Sequence, residues 1–449
     1  MNTLRKYLVL GCALIATAAP ALAQDVLIQG GTVLTITNGT LPGADVLVQN
    51  GRITRIGTGI TAPDGVEVVD ATGKFVMPGI IDAHSHIALS SVNEGTSPVT
   101  AEVTMEDVVD PYDISIYRAL AGGVTSAHLM HGSANVIGGQ NETIKLRYGN
   151  TDPDALRFQG APRTIKFALG ENPTRSHGLR GANGGGRPAL RPSSRMGVEA
   201  VLLETFEAGK RYMEAQDDFR AARRTNPRAV GPAYDQRLEV MADIIRGDVL
   251  VHCHSYRADE ILMLMRVLKR YGVTKVTFQH ANEAFKVAPE LAAFGAGASV
   301  FSDWWSYKFE VYYSTAYNAA ILTRNGVTTS VNSDSGELIR HLYHEAAKAQ
   351  RYGGLTDDEA LALITINPAT QLGINNRVGS LEVGKDADLA IFDAHPLSVY
   401  AVPVLTFVDG KRAFDRDADP DDMRLEINVT TNPSSESLFE EQETTIHHR

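Results

Sequence analysis

The stretch Phe75–Ile87, FVMPGIIDAHSHI, decides how this chain folds. An apolar run containing a Pro-Gly pair leads into Asp82 and then into the pair His84 and His86. Side chains along a strand alternate between its two faces, so both imidazoles of a His-X-His pair point the same way. Two neighbouring imidazoles suit a transition-metal ion that prefers nitrogen ligands. The stretch therefore predicts a buried strand that ends in a metal site.

The first 23 residues are typical of a targeting segment rather than of a folded domain. Arg5 and Lys6 stand before an apolar stretch at residues 7–18, and Ala21-Leu22-Ala23 is typical of a cleavage site. The apolar stretch is too short to cross a bilayer as a stable helix. We therefore expect a protein secreted across the inner membrane into a bacterial periplasm, with no membrane anchor.

The rest of the chain is acidic and keeps a single cysteine. Of the two cysteines among the 449 residues, only Cys253 lies beyond the targeting segment, so no intrachain disulfide can form. Removing the two positive charges of Arg5 and Lys6 changes the formal net charge from −11 to −13. Such a protein is a poor partner for nucleic acids and anionic membranes. We expect a small-molecule or short-peptide substrate, and a homo-oligomer is compatible with the sequence.

Both ends of the chain carry the pattern of short β-strands. Residues 24–74 show alternating apolar positions punctuated by Gln-Gly-Gly and Gln-Asn-Gly turns, which predicts β-hairpins. A matching segment, Gly379–Phe392, returns within residues 375–425. We expect the two ends to build one small β-sandwich together. Residues 426–449 have the irregular composition of a disordered tail.

Between these ends, residues 75–374 alternate strand patterns with helical patterns. Such alternation is typical of a parallel sheet with helices outside it. Eight strands closed on themselves form a (β/α)8 TIM-like barrel, whose functional residues lie at the carboxyl ends of the strands. An open doubly wound sheet is the alternative, but no Gly-rich nucleotide motif follows an early strand. The eight expected strands are residues 76–83, 123–130, 155–160, 164–169, 248–254, 274–280, 298–304 and 327–333.

Polar residues recur where the later predicted strands end. His252 and His254 form a second strand-terminal His-X-His pair, His280 ends the next strand, and Asp334 follows the eighth strand. A single buried histidine is usually a hydrogen-bonded core residue, but that explanation does not account for several such sites in barrel order. Because the strand ends of a barrel meet at one rim, the sequence predicts that these residues cluster with the first His-X-His pair.

These motifs resemble the metal-dependent amidohydrolase superfamily, in particular its imidazolonepropionase-like and Xaa-Pro dipeptidase-like branch. The resemblance rests on the first His-X-His stretch, on Ile366–Gly373 and on the closing segment Gly379–Leu389, and it covers nearly the whole mature chain. It implies one ion on the first His-X-His pair, a more exposed ion on two later histidines, and an aspartate that is both ligand and base. The metal-binding residues that it implies are His84, His86, Lys166, His252, His280 and Asp334.

A second metal ion needs a bridging anion, for which two residues are candidates. Lys166 lies in the segment Thr164–Gly170, which resembles the strand that carries a carboxylated lysine in binuclear relatives. Burial in a barrel disfavours the charged form of a lysine, and carboxylation converts the side chain into a ligand. Glu171 is the rival, because some relatives use a glutamate at this strand end. We expect Lys166 to be the bridge.

The resemblance implies hydrolysis of a carbon–nitrogen bond with one or two divalent ions, zinc being the expected metal. A metal ion lowers the pKa of bound water and polarises a carbonyl, and Asp334 then serves as the catalytic base. We expect His254 to contact the substrate or support an oxyanion. Export favours small peptides as substrates. The alternatives are a cyclic amide hydrolase or deaminase of imidazolonepropionase type, and a catalytically retired metal-binding receptor.

Two further segments are candidates for substrate contacts. Residues 171–232 form a long insertion after the fourth strand, and an insertion above strand ends is typical of a lid. Its arginines Arg175, Arg180 and Arg195 can pair with a substrate carboxylate. Asn135 lies in a Gly- and Asn-rich loop after the second strand, where polar groups can face a substrate. A solvated insertion and an ordinary turn are the alternatives.

Overall fold

Two hydrogen-bonded sheets organise the computed structural model of this chain, which describes residues 25–176 and 191–417. The predicted targeting segment, the predicted tail and Arg180 lie outside the described residues. In chain order the strands are β1 (Val26–Leu34), β2 (Thr40–Gln49), β3 (Arg52–Gly57), β4 (Glu67–Asp70), β5 (Phe75–Pro78), β6 (Ile80–Ser85), β7 (Val124–Leu129), β8 (Ile137–Lys145), β9 (Arg163–Ala168), β10 (Val249–Ser255), β11 (Val276–His280), β12 (Gly297–Val300), β13 (Thr328–Val331), β14 (Leu389–Phe392), β15 (Pro403–Val408) and β16 (Lys411–Asp415).

Helices of the described residues pack around these sheets. In chain order they are α1 (Ile114–Leu120), α2 (Glu171–Thr174), α3 (Arg195–Arg223), α4 (Gln236–Arg246), α5 (Ala258–Arg270), α6 (Ala288–Phe294), α7 (Asn318–Arg324), α8 (Leu342–Gly353), α9 (Asp357–Ala362) and α10 (Ile366–Gln371). Helix α5 shows the amphipathic pattern of such helices, because it buries Ile261, Leu264 and Leu268 on one face. Its first turn carries acidic residues and its last turn basic residues, which complement the helix dipole. No described helix combines the length and apolarity needed to cross a membrane.

Strands from both chain ends form one sheet, in the order β16-β15-β14-β5-β1-β2-β3, with β4 paired to β1. The ends join where β5 pairs antiparallel with β14, so that Val76 lies opposite Ile391. A hydrophobic cluster that includes Val46, Leu389 and Phe407 packs within this sheet region. The two chain ends thus build one unit together, but its strands belong to a single hydrogen-bonded sheet, where the sequence predicts the two sheets of a sandwich.

The second sheet runs from β6 to β13 in chain order and nearly closes into a TIM-like barrel. Neighbouring strands are parallel except that β8 is antiparallel to both β7 and β9. Between the last and first strands, the backbone N–H of Asp334 donates to the carbonyl of His84 at 3.0 Å. This bond holds the ends of β13 and β6 together, and both ends carry predicted metal ligands.

The third barrel strand lies elsewhere than the sequence predicts. Residues 155–160 form turns and an isolated bridge, and Phe158 packs in a small cluster apart from the main core. The strand is β8, whose Gly138 and Gly139 give its sequence the composition of a loop. Glycine inside a strand marks a close approach of neighbouring groups, and a Cβ at either position would collide with the His131 ring. The expectation of a strand at residues 155–160 is therefore wrong.

The part of the insertion beyond residue 190 consists mainly of helices that pack on the barrel. In α3, the Phe206 ring lies 6.0 Å from the Phe167 ring of β9 and 5.1 Å from the Tyr271 ring. Because Lys166 faces the barrel interior, Phe167 next to it faces outward. At Phe206, helix α3 therefore covers the outer wall of the barrel, and the lid stays a prediction.

Candidate metal centre

Three residues from separate strand ends converge at the carboxyl rim of the barrel. A ring nitrogen of His84, a ring nitrogen of His280 and a carboxylate oxygen of Asp334 lie within 4.8 Å of one another. Asp334 Oδ1 is 3.4 Å from His84 Nε2, and Asp334 Oδ2 is 3.7 Å from His280 Nε2. His86 Nε2 approaches Asp334 Oδ1 to 3.0 Å. Three predicted metal ligands, His84, His86 and His280, thus surround the carboxylate of a fourth, Asp334, and we call these four residues the cluster.

Left-handed backbone conformations aim two of these side chains. His280 has φ 66° and Asp334 has φ 46°, values that residues other than glycine seldom adopt. In a regular strand Gln279 and His280 would face opposite sides. Here Gln279 contacts His252 and His280 contacts His84, both inside the barrel. The unusual backbone brings a second side chain of the same strand end inward, as often happens at functional sites.

Asp82 supports the cluster without belonging to it. Its buried carboxyl accepts hydrogen bonds from the Ser333 hydroxyl and from the backbone N–H groups of Ser333 at 3.1 Å and His84 at 3.2 Å. Burial raises the pKa of Asp82 to about 7, against the opposing effect of these hydrogen bonds. The carboxyl ties β6 to the residue before Asp334 and so fixes the relative positions of two cluster members.

Lys166 is buried inside the barrel beside the cluster. Its Nζ lies 3.1 Å from Nε2 of His84. Burial lowers the pKa of the Lys166 ammonium to about 8, against the opposing effect of the nearby Asp334 carboxylate. Glu171, the rival for the bridging role, pairs with Lys308 at 3.5 Å. The structure therefore places Lys166 next to a predicted ligand and gives Glu171 other partners.

The two histidines of β10 lie in different surroundings. His252 Nδ1 is 3.0 Å from the Gln279 amide nitrogen, and its ring centroid is 4.6 Å from that of His128. The His254 ring centroid is 4.8 Å from that of His280. The structure thus brings His254 beside the cluster, whereas the resemblance implies His252 as the ligand from this strand.

The donor set fits a divalent ion such as zinc. Burial lowers the pKa of His280 to about 3 and holds the pKa values of His84 and His254 well below the ordinary imidazole range. The rings are therefore neutral and carry the lone pair that a metal ion needs. Among the described residues, no hydrogen-bond partner reaches either ring nitrogen of His254 or Nε2 of His252. Because buried polar atoms are nearly always paired, these nitrogens suit a ligand that the side chains do not provide.

The predicted arginine anchors have other partners. Arg175 pairs with Glu171 at 3.1 Å, and its side chain is 53% exposed. Arg195 bridges two carboxylates at the start of α5, with its Nε 2.6 Å from Glu260. Arg180 lies outside the described residues. Both described arginines are engaged in ion pairs that involve no member of the cluster.

Asn135 holds a neighbouring loop. Its side-chain amide donates to the carbonyls of Glu94 at 2.7 Å and Ser97 at 2.6 Å, and to the Thr100 hydroxyl at 3.2 Å. The residue has no solvent-exposed surface. All of its donor capacity therefore serves the loop at residues 94–100 rather than a substrate.

Sequence reasoning missed a wall of aromatic side chains beside the cluster. This aromatic wall consists of Tyr256, Phe301, Trp304 and Tyr307. The rings of Tyr256 and Phe301 stack on the His280 ring, with centroids 5.5 Å and 4.7 Å away. Trp304 stacks on Phe301 at 4.4 Å, and the hydroxyls of Tyr256 and Tyr307 are 3.0 Å apart. The signal was the dense aromatic run WWSYKFEVYY at residues 304–313, directly after a strand end.

The similarity to known proteins covers the whole barrel and part of the end sheet. Residues 75–417 match the amidohydrolase family. The chain belongs to this family. A solved amidohydrolase structure from Thermotoga maritima MSB8 is 34% identical and has a TM-score of 0.79, and the match covers 87% of this chain and 100% of that chain.

Relatives of this amidohydrolase carry several chemistries. The amidohydrolase tasK of Hapsidospora irregularis is 32% identical over 401 residues, which is 83% of this chain and 40% of that protein, so this chain spans less than half of its length. A prolidase structure with bound N-methylphosphonate-L-proline shares the fold, with 18% identity, a TM-score of 0.51 and coverage of 86% of this chain and 99% of that chain. Other relatives are named as deaminases, dihydroorotases and dihydropyrimidinases. The predicted superfamily is confirmed, and this amidohydrolase is a hydrolase that acts on carbon–nitrogen bonds.

Proposed function

We propose that this amidohydrolase binds one or two divalent metal ions, preferably zinc, at a site that includes His84, His280 and Asp334, and that it hydrolyses an amide bond in short peptides. The observation that carries the proposal is the convergence of two neutral imidazoles and a carboxylate within 4.8 Å at the rim of the barrel. Imidazole nitrogen and carboxylate oxygen are the donors that catalytic zinc commonly takes. Family membership supports the type of bond, and predicted export supports peptides as the substrate.

The surroundings of the cluster support two ions. In this proposal the more buried ion is held by His84, His86 and Asp334, and the second by His254 and His280. A carboxylated Lys166 would supply ligand oxygens to both ions, and the position of Lys166 Nζ 3.1 Å from His84 Nε2 supports this role. We assign His254 to the second ion in place of the His252 that the resemblance implies, because the His254 ring lies beside the His280 ring, with centroids 4.8 Å apart.

The residues around the metal site have separate roles in catalysis. Bound at this site, a divalent metal ion lowers the pKa of a water molecule and polarises the substrate carbonyl. Asp334 takes the proton from the attacking water and returns it to the departing nitrogen. Burial raises the pKa of Asp334, but the nearby side chains of His280, His86 and Lys166 outweigh this effect and lower it overall, so the base is ionised. In this proposal His254 is a metal ligand and also contacts the substrate.

A cyclic amide hydrolase or a deaminase is the second candidate. The stacked rings of Phe301 and Trp304 favour it, because a flat aromatic surface also suits a planar ring substrate. A catalytically retired metal-binding receptor is less well supported. A pure receptor has no need of the carboxylate that Asp334 places among three imidazoles.

Metal analysis and a substrate screen test the proposal. Purified protein is analysed for bound metal and then assayed with dipeptides, cyclic amides and aminopurines. In Asp334→Asn we expect turnover to fall by about 10² to 10⁴, the usual contribution of a positioned base. The control is Asp64→Asn, which changes an exposed carboxylate of the end sheet region. Near-normal turnover in Asp334→Asn, or wild-type protein without metal, contradicts the proposal.

We also propose export, on the evidence of the N-terminal sequence pattern alone. The protein is expressed with its full N-terminus in a Gram-negative host, and the mature N-terminus is then sequenced. We expect periplasmic protein that begins at Gln24. Cytoplasmic protein that retains residues 1–23 contradicts export.

A further inference from the structure

A buried lysine lies against the aromatic wall. The Lys308 Nζ is 4.2 Å from the centroid of the Tyr256 ring and 5.8 Å from that of Tyr307. Only 11% of the Lys308 side chain is exposed. The Tyr256 ring stacks in turn on His280 at 5.5 Å. The Tyr256 ring therefore contacts both the ammonium and a member of the metal cluster.

The Lys308 ammonium has more N–H donors than it has close acceptors among the described residues. It donates to Asn172 Oδ1 at 2.9 Å, while the carboxylates of Glu171 and Glu310 lie farther away, at 3.5 Å and 4.0 Å. Glu171 also pairs with Arg175 at 3.1 Å, and Glu310 accepts the backbone N–H of Glu171 at 3.0 Å. An ammonium carries three N–H donors. One of them has a short acceptor among the described residues, and the others face only these longer ion pairs.

The cation is also costly to bury. Desolvation lowers the pKa of Lys308, although Glu171 and Glu310 oppose this effect. A buried charge is stabilised when an oppositely charged group joins it at hydrogen-bond distance. Two of the arginines predicted as anchors already have carboxylate partners: Arg175 is exposed and paired with Glu171, and Arg195 is bound to carboxylates at the start of α5.

We propose that Lys308 binds a carboxylate of the substrate, so that the preferred substrates are amides with a free carboxylate next to the scissile bond. In a dipeptide this carboxylate is attached to the carbon that carries the scissile nitrogen. A cation one ring away from the cluster can hold it while the amide faces His280 and Asp334. The aromatic wall contacts the apolar part of the substrate. This inference rests on the proposed hydrolase function and names its substrate class.

Tryptophan fluorescence measures binding at this wall directly. The two tryptophans of the chain are Trp304 and Trp305, and Trp304 belongs to the wall. Metal-loaded protein is titrated with N-acetylglycine and with its carboxamide, which differ in the carboxylate alone. We expect the acid to bind about tenfold more tightly or better, as a charge-assisted hydrogen bond predicts.

Two variants and a matched control locate the effect. Lys308→Met removes the donor, and Lys308→Gln removes the charge while keeping a polar group for Asn172. We expect both to reduce the preference for the acid to about twofold or less. The control is Lys286→Met, because Lys286 makes a similar contact with the Tyr313 ring, at 4.1 Å, and pairs with Glu283. This variant is expected to keep the full preference.

The outcomes separate this inference from the proposed function. Equal binding of acid and amide by wild type, or an unchanged preference in either folded Lys308 variant, overturns the carboxylate site. Circular dichroism identifies which variants are folded. Because the titration needs no turnover, a carboxylate preference without hydrolysis of any amide supports Lys308 and refutes the hydrolase. Hydrolysis of an amide without any preference for the carboxylate supports the hydrolase and refutes the carboxylate site at Lys308.

Discussion

One carboxylate, that of Asp334, lies among three imidazoles. It lies 3.0 Å from His86 Nε2 and within 4.8 Å of ring nitrogens of His84 and His280. His86 donates its other nitrogen, Nδ1, to the Met130 carbonyl at 3.0 Å. Histidine ligands commonly hold one nitrogen in this way, which orients the other toward the metal. This hydrogen bond therefore orients Nε2 of His86 toward Asp334.

We expect Lys166 to determine how many ions the site holds. We expect wild-type protein to bind two divalent ions and Lys166→Ala to lose at least one, because alanine supplies no bridging oxygen. Short-chain carboxylic acids should partly restore turnover by replacing the carbamate. Metal content is measured after dialysis, with Lys275→Ala, which changes an exposed lysine before β11, as the control. One ion in wild type and an unchanged content in Lys166→Ala would exclude the bridging role.

The histidine pair of β10 shows a limit of sequence reasoning at single residues. Strand periodicity correctly predicts that His252 and His254 both face the interior, because residues two apart share a face. It does not give their depth, which differs by roughly 7 Å along a strand. Depth depends on how far the strand is shifted against its neighbours, and that is set by pairing across the barrel. His252 contacts His128 and Gln279, whereas His254 lies beside His280.

Paired alanine variants test which histidine is the ligand. We expect His254→Ala to weaken metal binding by about tenfold or more in competition with a chelator, because it removes a donor nitrogen. His252→Ala should retain the metal but lower the free energy of unfolding, since it leaves a cavity beside His128. The opposite pattern would restore the ligand set that the family resemblance implies.

At the scale of elements, most strand positions follow from local patterns, but strand direction does not. Seven of the eight predicted barrel segments overlap a strand of the structure, because buried strands are short apolar runs between turns. β8 escapes this rule, since Gly138 and Gly139 interrupt its apolar pattern. Its antiparallel direction is fixed by pairing with β7 and β9, which no local pattern reports. The aromatic wall was missed for a related reason, because its segment has no regular period.

A variant of Asn135 tests whether this residue holds a loop in place or contacts the substrate. Asn135→Ala removes three hydrogen bonds that hold residues 94–100. We expect the free energy of unfolding to fall by about 1–3 kcal/mol, with KM unchanged within about twofold. Urea unfolding and steady-state kinetics are measured beside Asn150→Ala, which removes one exposed hydrogen bond to Arg147. A higher KM at unchanged stability would instead assign Asn135 to the substrate.

At the scale of the whole molecule, a buried ion network joins the barrel to the end sheet. Lys145, the last residue of β8, is completely buried and contacts three carboxylates from the C-terminal part of the chain. Its Nζ lies 2.8 Å from Asp386, 3.1 Å from Asp388 and 2.5 Å from Asp409. Strand β8 thus connects the barrel with the segments that flank β14 and β15. The reversed direction of β8 places this lysine at the end of the barrel away from the metal cluster.

We expect Lys145→Met to lower the free energy of unfolding by about 3–5 kcal/mol, because it leaves buried carboxylates without their cation. The effect is measured by urea unfolding at neutral pH. Lys411→Met, which changes an exposed lysine at the start of β16, is the control and should stay within about 0.5 kcal/mol of wild type. A loss below about 1 kcal/mol in Lys145→Met would show that the network contributes little.

The contribution of Lys145 to the free energy of unfolding should also depend on pH in the alkaline range. Desolvation lowers the pKa of Lys145, but the three aspartates outweigh it and raise the pKa above the ordinary value of 10.5. A lysine whose pKa is higher in the folded state stabilises the fold fully below the unfolded pKa, and this contribution is lost as the pH rises through the folded pKa. The difference in unfolding free energy between wild type and Lys145→Met should therefore be constant from about pH 8 to about pH 10 and should shrink above pH 10.5. A difference that stays constant at higher pH would mean that Lys145 acts there through packing rather than through charge.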